Sequence, residues 1–222
     1  SFPTRRSSDL VNPEASDLFK SYLKDKTITS KFITDHDYEL ISHDPVRFKY
    51  EDIVYELSLL GNHQVLNAIL ALEGMRYLFK DIDVKHIQNG LKKTIWAGRL
   101  EHISNNVYID GAHNTHALLA LEKTIHQTFE DKRIYVLFSA LADKEIKEML
   151  TIIKRFADKI VLTSFDDPRF QSLDIFQSDE IIYMKAFDKA YEMLIDQISD
   201  RDMLLITGSM HFAGYAKKIL KG

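Results

Sequence analysis

Short apolar runs alternate with longer segments whose apolar residues recur every three or four positions through the second half of the chain. The runs are NVYID (106–110), RIYVLFSA (133–140), KIVLTS (159–164), IIYM (181–184) and MLLITG (203–208), and each has the length and composition of a strand. Helical periodicity begins near Asn114, Asp143, Phe187 and His211. In the second of these helices Ile146, Met149, Leu150 and Ile153 fall at i, i+3, i+4 and i+7, with Asp143 as the expected N-cap. Strands alternating with helices predict an α/β fold, a mostly parallel sheet wrapped by helices on both faces.

The first half is patterned differently. Residues 31–54 alternate apolar and polar positions around Asp35, His36 and the Asp44-Pro45 pair, which predicts short half-buried strands joined by turns. From Gly61, GNHQVLNAILALEGMRYLF is apolar on nearly every face, as a buried helix would be, with Asn62 or its neighbour as cap. His63 and Asn67 lie one turn apart on it. DVKHIQNGLKKT is an amphipathic helix through Val84, Ile87 and Leu91, and Gly98 then breaks the pattern. A domain boundary is therefore expected between Thr94 and Gly98, giving domains 11–95 and 96–222. The opening SFPTRRSSDL (1–10) has neither periodicity and is expected to be a tail foreign to the gene; with no initiating Met, an upstream portion is expected to be missing.

Composition narrows the function class. A formal charge of −4 with no polybasic run argues against a nucleic-acid or membrane partner. Zero cysteines rule out disulfides and thiolate-ligated zinc and fit a cytoplasmic protein. No stretch reaches the roughly 18 apolar residues of a membrane span, and the N-terminus lacks a signal peptide's apolar core.

The chemistry concentrates in RLEHISNNVYIDGAHNTHALLALEKTI (99–125), where a strand hands over to a helix. Ligands of open α/β sheets sit outside the carboxyl ends of the strands, against helix N-termini. Here the strand ends at Asp110, Gly111 is expected to make the turn with positive φ, and Asn114 to cap a helix through Leu118, Leu121 and Ile125. Asp110 and His113 would then project into the crevice; alternatively Asp110 and Asn114 only organise the turn. Asp110, His113 and His116 also carry metal-ligand chemistry, which keeps a metal-dependent hydrolase open, although His116 on a first helical turn reads more simply as a surface residue. Asn67 and His63 need partners if buried, either backbone or ligand. The eight glycines, at 61, 74, 90, 98, 111, 208, 214 and 222, allow neither G-x-G-x-x-G nor the P-loop, and the chain has no G-x-S-x-G elbow.

Five motifs in order, GNHQVLNAILAL (61–72), IWAGRLE (95–101), YIDGAHN (108–114), ALADKE (140–145) and ITGSMHFAG (206–214), resemble the folylpolyglutamate synthase and dihydrofolate synthase family within the wider Mur ligase group. The resemblance implies a Rossmann-like C-terminal domain, preceded by the last part of a P-loop-type Mur ligase central domain. It implies an ATP-dependent ligase, in which a folate or dihydropteroate carboxylate becomes an acyl phosphate that L-glutamate displaces. The P-loop and the Mg2+ ligands would lie upstream, leaving this chain inactive alone; a monomer is expected. By the same resemblance Asn67 contacts the nucleotide base, Arg99 the phosphates and Asp110 the ribose hydroxyls, with His113 and Ser209 on the phosphate or glutamate side. Asp143 and Lys144 match the family's DK pair, read here as a helix start. Ala97 and Thr115 stand where the family usually has proline. A stand-alone Rossmann-like binding domain is the competitor from another class.

Overall fold

The computed structural model describes residues 13–24 and 30–221, so the tail expected at 1–10 lies outside the described residues. The chain divides into two compact units between Ile95 and Trp96.

The first unit holds α1 (Pro13–Leu23), β1 (Tyr38–His43), β2 (Val46–Tyr50), β3 (Ile53–Leu57), α2 (His63–Leu78) and α3 (Val84–Lys93). The three strands form an antiparallel sheet in chain order, with Phe48 opposite Tyr55 and Lys49 opposite Val54. Their period-two alternation buries Val46, Phe48 and Tyr50 while Arg47 faces out, and the rings of Phe48 and Tyr55 stack at 5.4 Å. Val65, Ile69 and Leu72 of α2 complete this core.

The expectation of a fully buried α2 is corrected. Among the described residues its Met75, Tyr77 and Leu78 are exposed, His63 is exposed and Asn67 half-buried. Asn62 stands at the cap position with helical φ and ψ and makes no side-chain cap; its Oδ1 instead meets His43 Nδ1 at 3.1 Å. On α3, Asp83 does cap, accepting from the Lys85 amide at 2.9 Å.

The second unit contains β4 (Glu101–Ser104), β5 (Val107–Ile109), α4 (Thr115–Thr128), β6 (Arg133–Phe138), α5 (Ile146–Ile153), β7 (Lys159–Leu162), β8 (Ile181–Tyr183), α6 (Phe187–Ile195), β9 (Asp202–Thr207) and α7 (Met210–Lys221). Its six-stranded sheet runs β4-β5-β9-β6-β7-β8 and is parallel throughout except for β4, which pairs antiparallel with β5. This is the expected α/β architecture plus one strand the hydropathy pattern did not reveal. HIS in β4 has too few apolar residues to stand out. Leu204 and Ile206 of the central strand pack with Phe187 of α6 and Phe212 of α7 in one cluster, and each side chain of that size contributes about 2 kcal/mol by leaving water.

Local chemistry sets the helix starts. Asn114 caps α4, its Oδ1 accepting from the Ala117 amide at 2.8 Å. Asp143 does not cap α5: the helix starts at Ile146 behind Glu145, which makes no side-chain cap, and Asp143 pairs instead with Lys144 Nζ at 2.7 Å. Ser209 Oγ accepts from the Phe212 amide at 2.9 Å and caps α7.

Candidate functional site

Parallel strands send their following loops to one edge, so β5 and β9 deliver Asp110 and the Gly208-Ser209 pair to the same side of the sheet. Asp110 is only 7% exposed, and both its oxygens are engaged by main chain: Oδ1 accepts from the Ala112 amide at 2.8 Å and Oδ2 from the Leu100 amide at 2.9 Å. Burial pushes its carboxyl above the ordinary value, against those two donors and the nearby charges of Arg99 and His113.

The carboxylate thus reaches into the turn that carries Arg99. Gly98 has φ +68 and Leu100 φ +42, the second in the left-handed region that a leucine rarely adopts. Glu101 closes the turn by accepting from the Gly98 amide at 3.1 Å, and its own charge is met by Lys217 at 2.8 Å and Lys221 at 3.3 Å from α7. The Gly98 carbonyl accepts from the Gly111 amide at 2.8 Å. Gly111 does not have the positive φ expected of it; a Cβ there would lie 1.8 Å from Met210 Sδ, so close packing rather than backbone twist explains the glycine. The positive φ at this edge belongs to Gly208, at +123, where a Cβ would also lie 2.4 Å from the Ser139 carbonyl oxygen.

Arg99 is half-buried, and its guanidinium makes no hydrogen bond or ion pair among the described residues. His113 Nδ1 lies 3.0 Å from the Gly111 carbonyl, which can only accept, so Nδ1 carries the proton and Nε2 is left to a ligand. Ser209 accepts its cap bond and keeps its own O–H as a donor. Asp167 and Arg169, which stand in no quoted motif, pair with each other and with His211 of the ITGSMHFAG motif, with Arg169 Nη2 at 3.1 Å from both Asp167 Oδ2 and His211 Nε2. Asn67 belongs to the first unit, where its Nδ2 donates to Gln64 Oε1 at 2.9 Å.

The arrangement does not support a metal centre built on Asp110, His113 and His116. His116 is exposed on the helix, both Asp110 oxygens are engaged, and no three His, Asp or Glu side chains among the described residues gather as metal ligands. It does offer donors of the kind an anion takes, the Arg99 guanidinium and the Ser209 hydroxyl, beside two capped helix starts. Leu100 and Glu101 stand in the quoted IWAGRLE motif, but their roles in holding the turn carried no signal of their own, since each depends on what it touches.

Fold and topology together define an α/β domain on a mostly parallel six-stranded sheet. The match to the family model described as Mur ligase, glutamate ligase domain, spans residues 98–210, and the chain belongs to this family. A dihydrofolate synthase/folylpolyglutamate synthase from Bacillus subtilis is 35% identical over 188 residues, covering 78% of this chain and 44% of the relative. The chain therefore spans less than half the length of that relative. Among solved structures, Mycobacterium tuberculosis folylpolyglutamate synthase complexed with ADP and AMPPCP matches with a TM-score of 0.77 at 22% identity, over 95% of this chain and 54% of that one. A bifunctional folylpolyglutamate synthase/dihydrofolate synthase from Yersinia pestis, complexed with AMPPNP and Mn ion, matches with a TM-score of 0.75 at 16% identity, over 95% of this chain and 51% of that one. At these identities the structural matches speak for the fold.

Proposed function

We propose that this chain is part of an ATP-dependent ligase that adds L-glutamate to folates, with dihydropteroate as a further acceptor of the same class. The carrying observation is Arg99: a half-buried guanidinium with no hydrogen-bond or ion-pair partner among the described residues, on a turn whose Gly98 and Leu100 amides are bonded to Glu101 and Asp110. Leaving such a group without an anion is unfavourable, and a nucleotide phosphate is the bidentate partner it suits. ATP is the nucleotide assigned, as the bound nucleotides of the solved relatives support.

Asn67 is assigned to the base and Asp110 to the ribose hydroxyls, through the lone pairs its two backbone donors leave. His113 and Ser209 are assigned to the phosphate or glutamate side. The donor set of this chain suits anions, so Mg2+ is assigned to ligands upstream of it, where it would neutralise the phosphates. The phosphorylated carboxylate is an acyl phosphate; the glutamate amine attacks its carbonyl and inorganic phosphate leaves. The parent enzyme is proposed to act as a monomer in the cytoplasm, where ATP and glutamate are abundant.

The test joins the chain to its upstream coding sequence and measures ADP release dependent on folate or dihydropteroate and on glutamate. Turnover is expected from the joined protein and none from residues 1–222 alone. A joined, folded protein that releases no ADP with either acceptor overturns the assignment.

A further inference from the structure

The turn that bears Arg99 is more tightly held than a connection between two units requires. Three of its main-chain polar groups are held, the Leu100 amide on Asp110 Oδ2 at 2.9 Å, the Gly98 amide on Glu101 Oε2 at 3.1 Å and the Gly98 carbonyl on the Gly111 amide at 2.8 Å, and the Glu101 carboxylate is itself paired with Lys217 at 2.8 Å. Leu100 is buried and holds φ +42, a conformation that persists only when the surroundings over-determine it. Strained backbone gathered around one unpaired guanidinium is the pattern of a preset ligand group.

We propose that Asp110 and Glu101 are positioning residues, whose carboxylates hold the 98–101 turn, with Gly98 and Leu100 at positive φ, and so fix the direction in which Arg99 meets its anion. The role given to Arg99 rests on the ligase assignment; the hold on the turn does not. Asp110 is anchored by the Ala112 amide at 2.8 Å, so it transmits the position of β5 to the turn, and Glu101 transmits that of α7 through Lys217 and Lys221. A simple brace between β4 and β5 would need neither the twisted leucine nor the carboxylate aimed at its amide, since the ladder from Glu101–Ile109 already joins the strands.

Two measurements test this. The first uses the 222-residue chain without ligand: amide exchange at Gly98 and Leu100 in Glu101→Ala and in Asp110→Asn. Exchange at Gly98 is expected to quicken about tenfold or more in Glu101→Ala, and that at Leu100 in Asp110→Asn, with β6 and β9 unaffected. Unchanged exchange at both amides overturns the proposal, and should Asp110→Asn fail to fold, Glu101→Ala decides. The second uses the joined ligase, where Glu101→Ala is expected to lower kcat about tenfold with the KM for ATP within about twofold. The same substitution on an Arg99→Ala background is expected to cost nothing further, because its effect passes through the arginine. Glu101→Gln, whose amide oxygen still accepts from Gly98, is expected to recover most of the loss. An equal loss in both backgrounds overturns the proposal. A joined protein without turnover counts against the ligase assignment alone, since the exchange measurement stands apart from it.

Discussion

Two buried aspartates on neighbouring parallel strands have opposite environments. Asp202, at the start of β9, is fully buried and takes Arg133 at both oxygens, Nε to Oδ1 at 2.6 Å and Nη2 to Oδ2 at 3.0 Å, with the Ser199 amide and hydroxyl at 2.7 and 2.8 Å. The bonds from Arg133, against the cost of burial and helped by Ser199, hold its carboxyl at about 2. Asp110, just past the end of β5, accepts only from backbone amides, and burial pushes its carboxyl up. At the amino edge of the sheet the arginine is consumed by the aspartate. At the carboxyl edge the aspartate instead holds the amide of Leu100, the residue after Arg99, and leaves the guanidinium without a hydrogen-bond partner among the described residues.

The largest expected effect would break the comparison outright. Arg99→Ala in the joined ligase should lower kcat by about 10² while leaving the melting temperature within about 2 °C, because the arginine serves a ligand and not the core. Arg133→Ala should do the reverse, lowering the melting temperature by several degrees, on the order of 5 °C, with turnover unchanged. Thermal scans beside steady-state kinetics on both variants check the pair, and a destabilised Arg99→Ala would remove the distinction.

Next in size is a backbone substitution at the carboxyl edge. Gly208→Ala is expected to destabilise the fold by about 2 kcal/mol, since the new Cβ meets the Ser139 carbonyl at 2.4 Å in a left-handed backbone. Gly111→Ala should cost less, about 1 kcal/mol, because the group it meets is the flexible Met210 side chain. Urea titration ranks the two.

The smallest expected effect is on pH dependence. With its folded value depressed from 3.8 to about 2, Asp202 contributes stability that is complete above about pH 4 and is lost as pH falls toward 2. Asp110 has the opposite sign: its raised folded value favours the protonated carboxyl, so its contribution weakens as pH rises past 3.8. Asp202→Asn should therefore flatten the acid limb of a stability profile between pH 4 and 2, and an unaltered limb would show that Asp202 carries no such linkage.

Much of the fold was legible because strands and helices advertise their period. NVYID, RIYVLFSA and MLLITG each place apolar residues where a parallel strand buried on both faces needs them, and Asn114 caps the helix its position announces. Two of the misses share a physical cause, competition between a cap and another side-chain partner, one distant in sequence and one adjacent. Asn62 faced a choice between capping α2 and meeting His43 nineteen residues earlier, and Asp143 between capping α5 and pairing with Lys144. Local propensity cannot rank such alternatives. At the candidate site, Arg99, Asp110, His113 and Ser209 had roles assigned from the quoted motifs, while Glu101, Leu100 and Met210, which stand in the same motifs, gained significance from what touches them.

The sequence by itself determined the alternation of elements, the α/β class and the family resemblance, since these depend on residue type and order along one dimension. Only the tertiary structure decided how Arg99 is presented. Its turn is fixed by an amide bonded to Asp110 ten residues on and by a glutamate bound to a lysine 116 residues on. Nothing local favours φ +42 at Leu100, so that conformation exists because packed, hydrogen-bonded neighbours outweigh the chain's own preference.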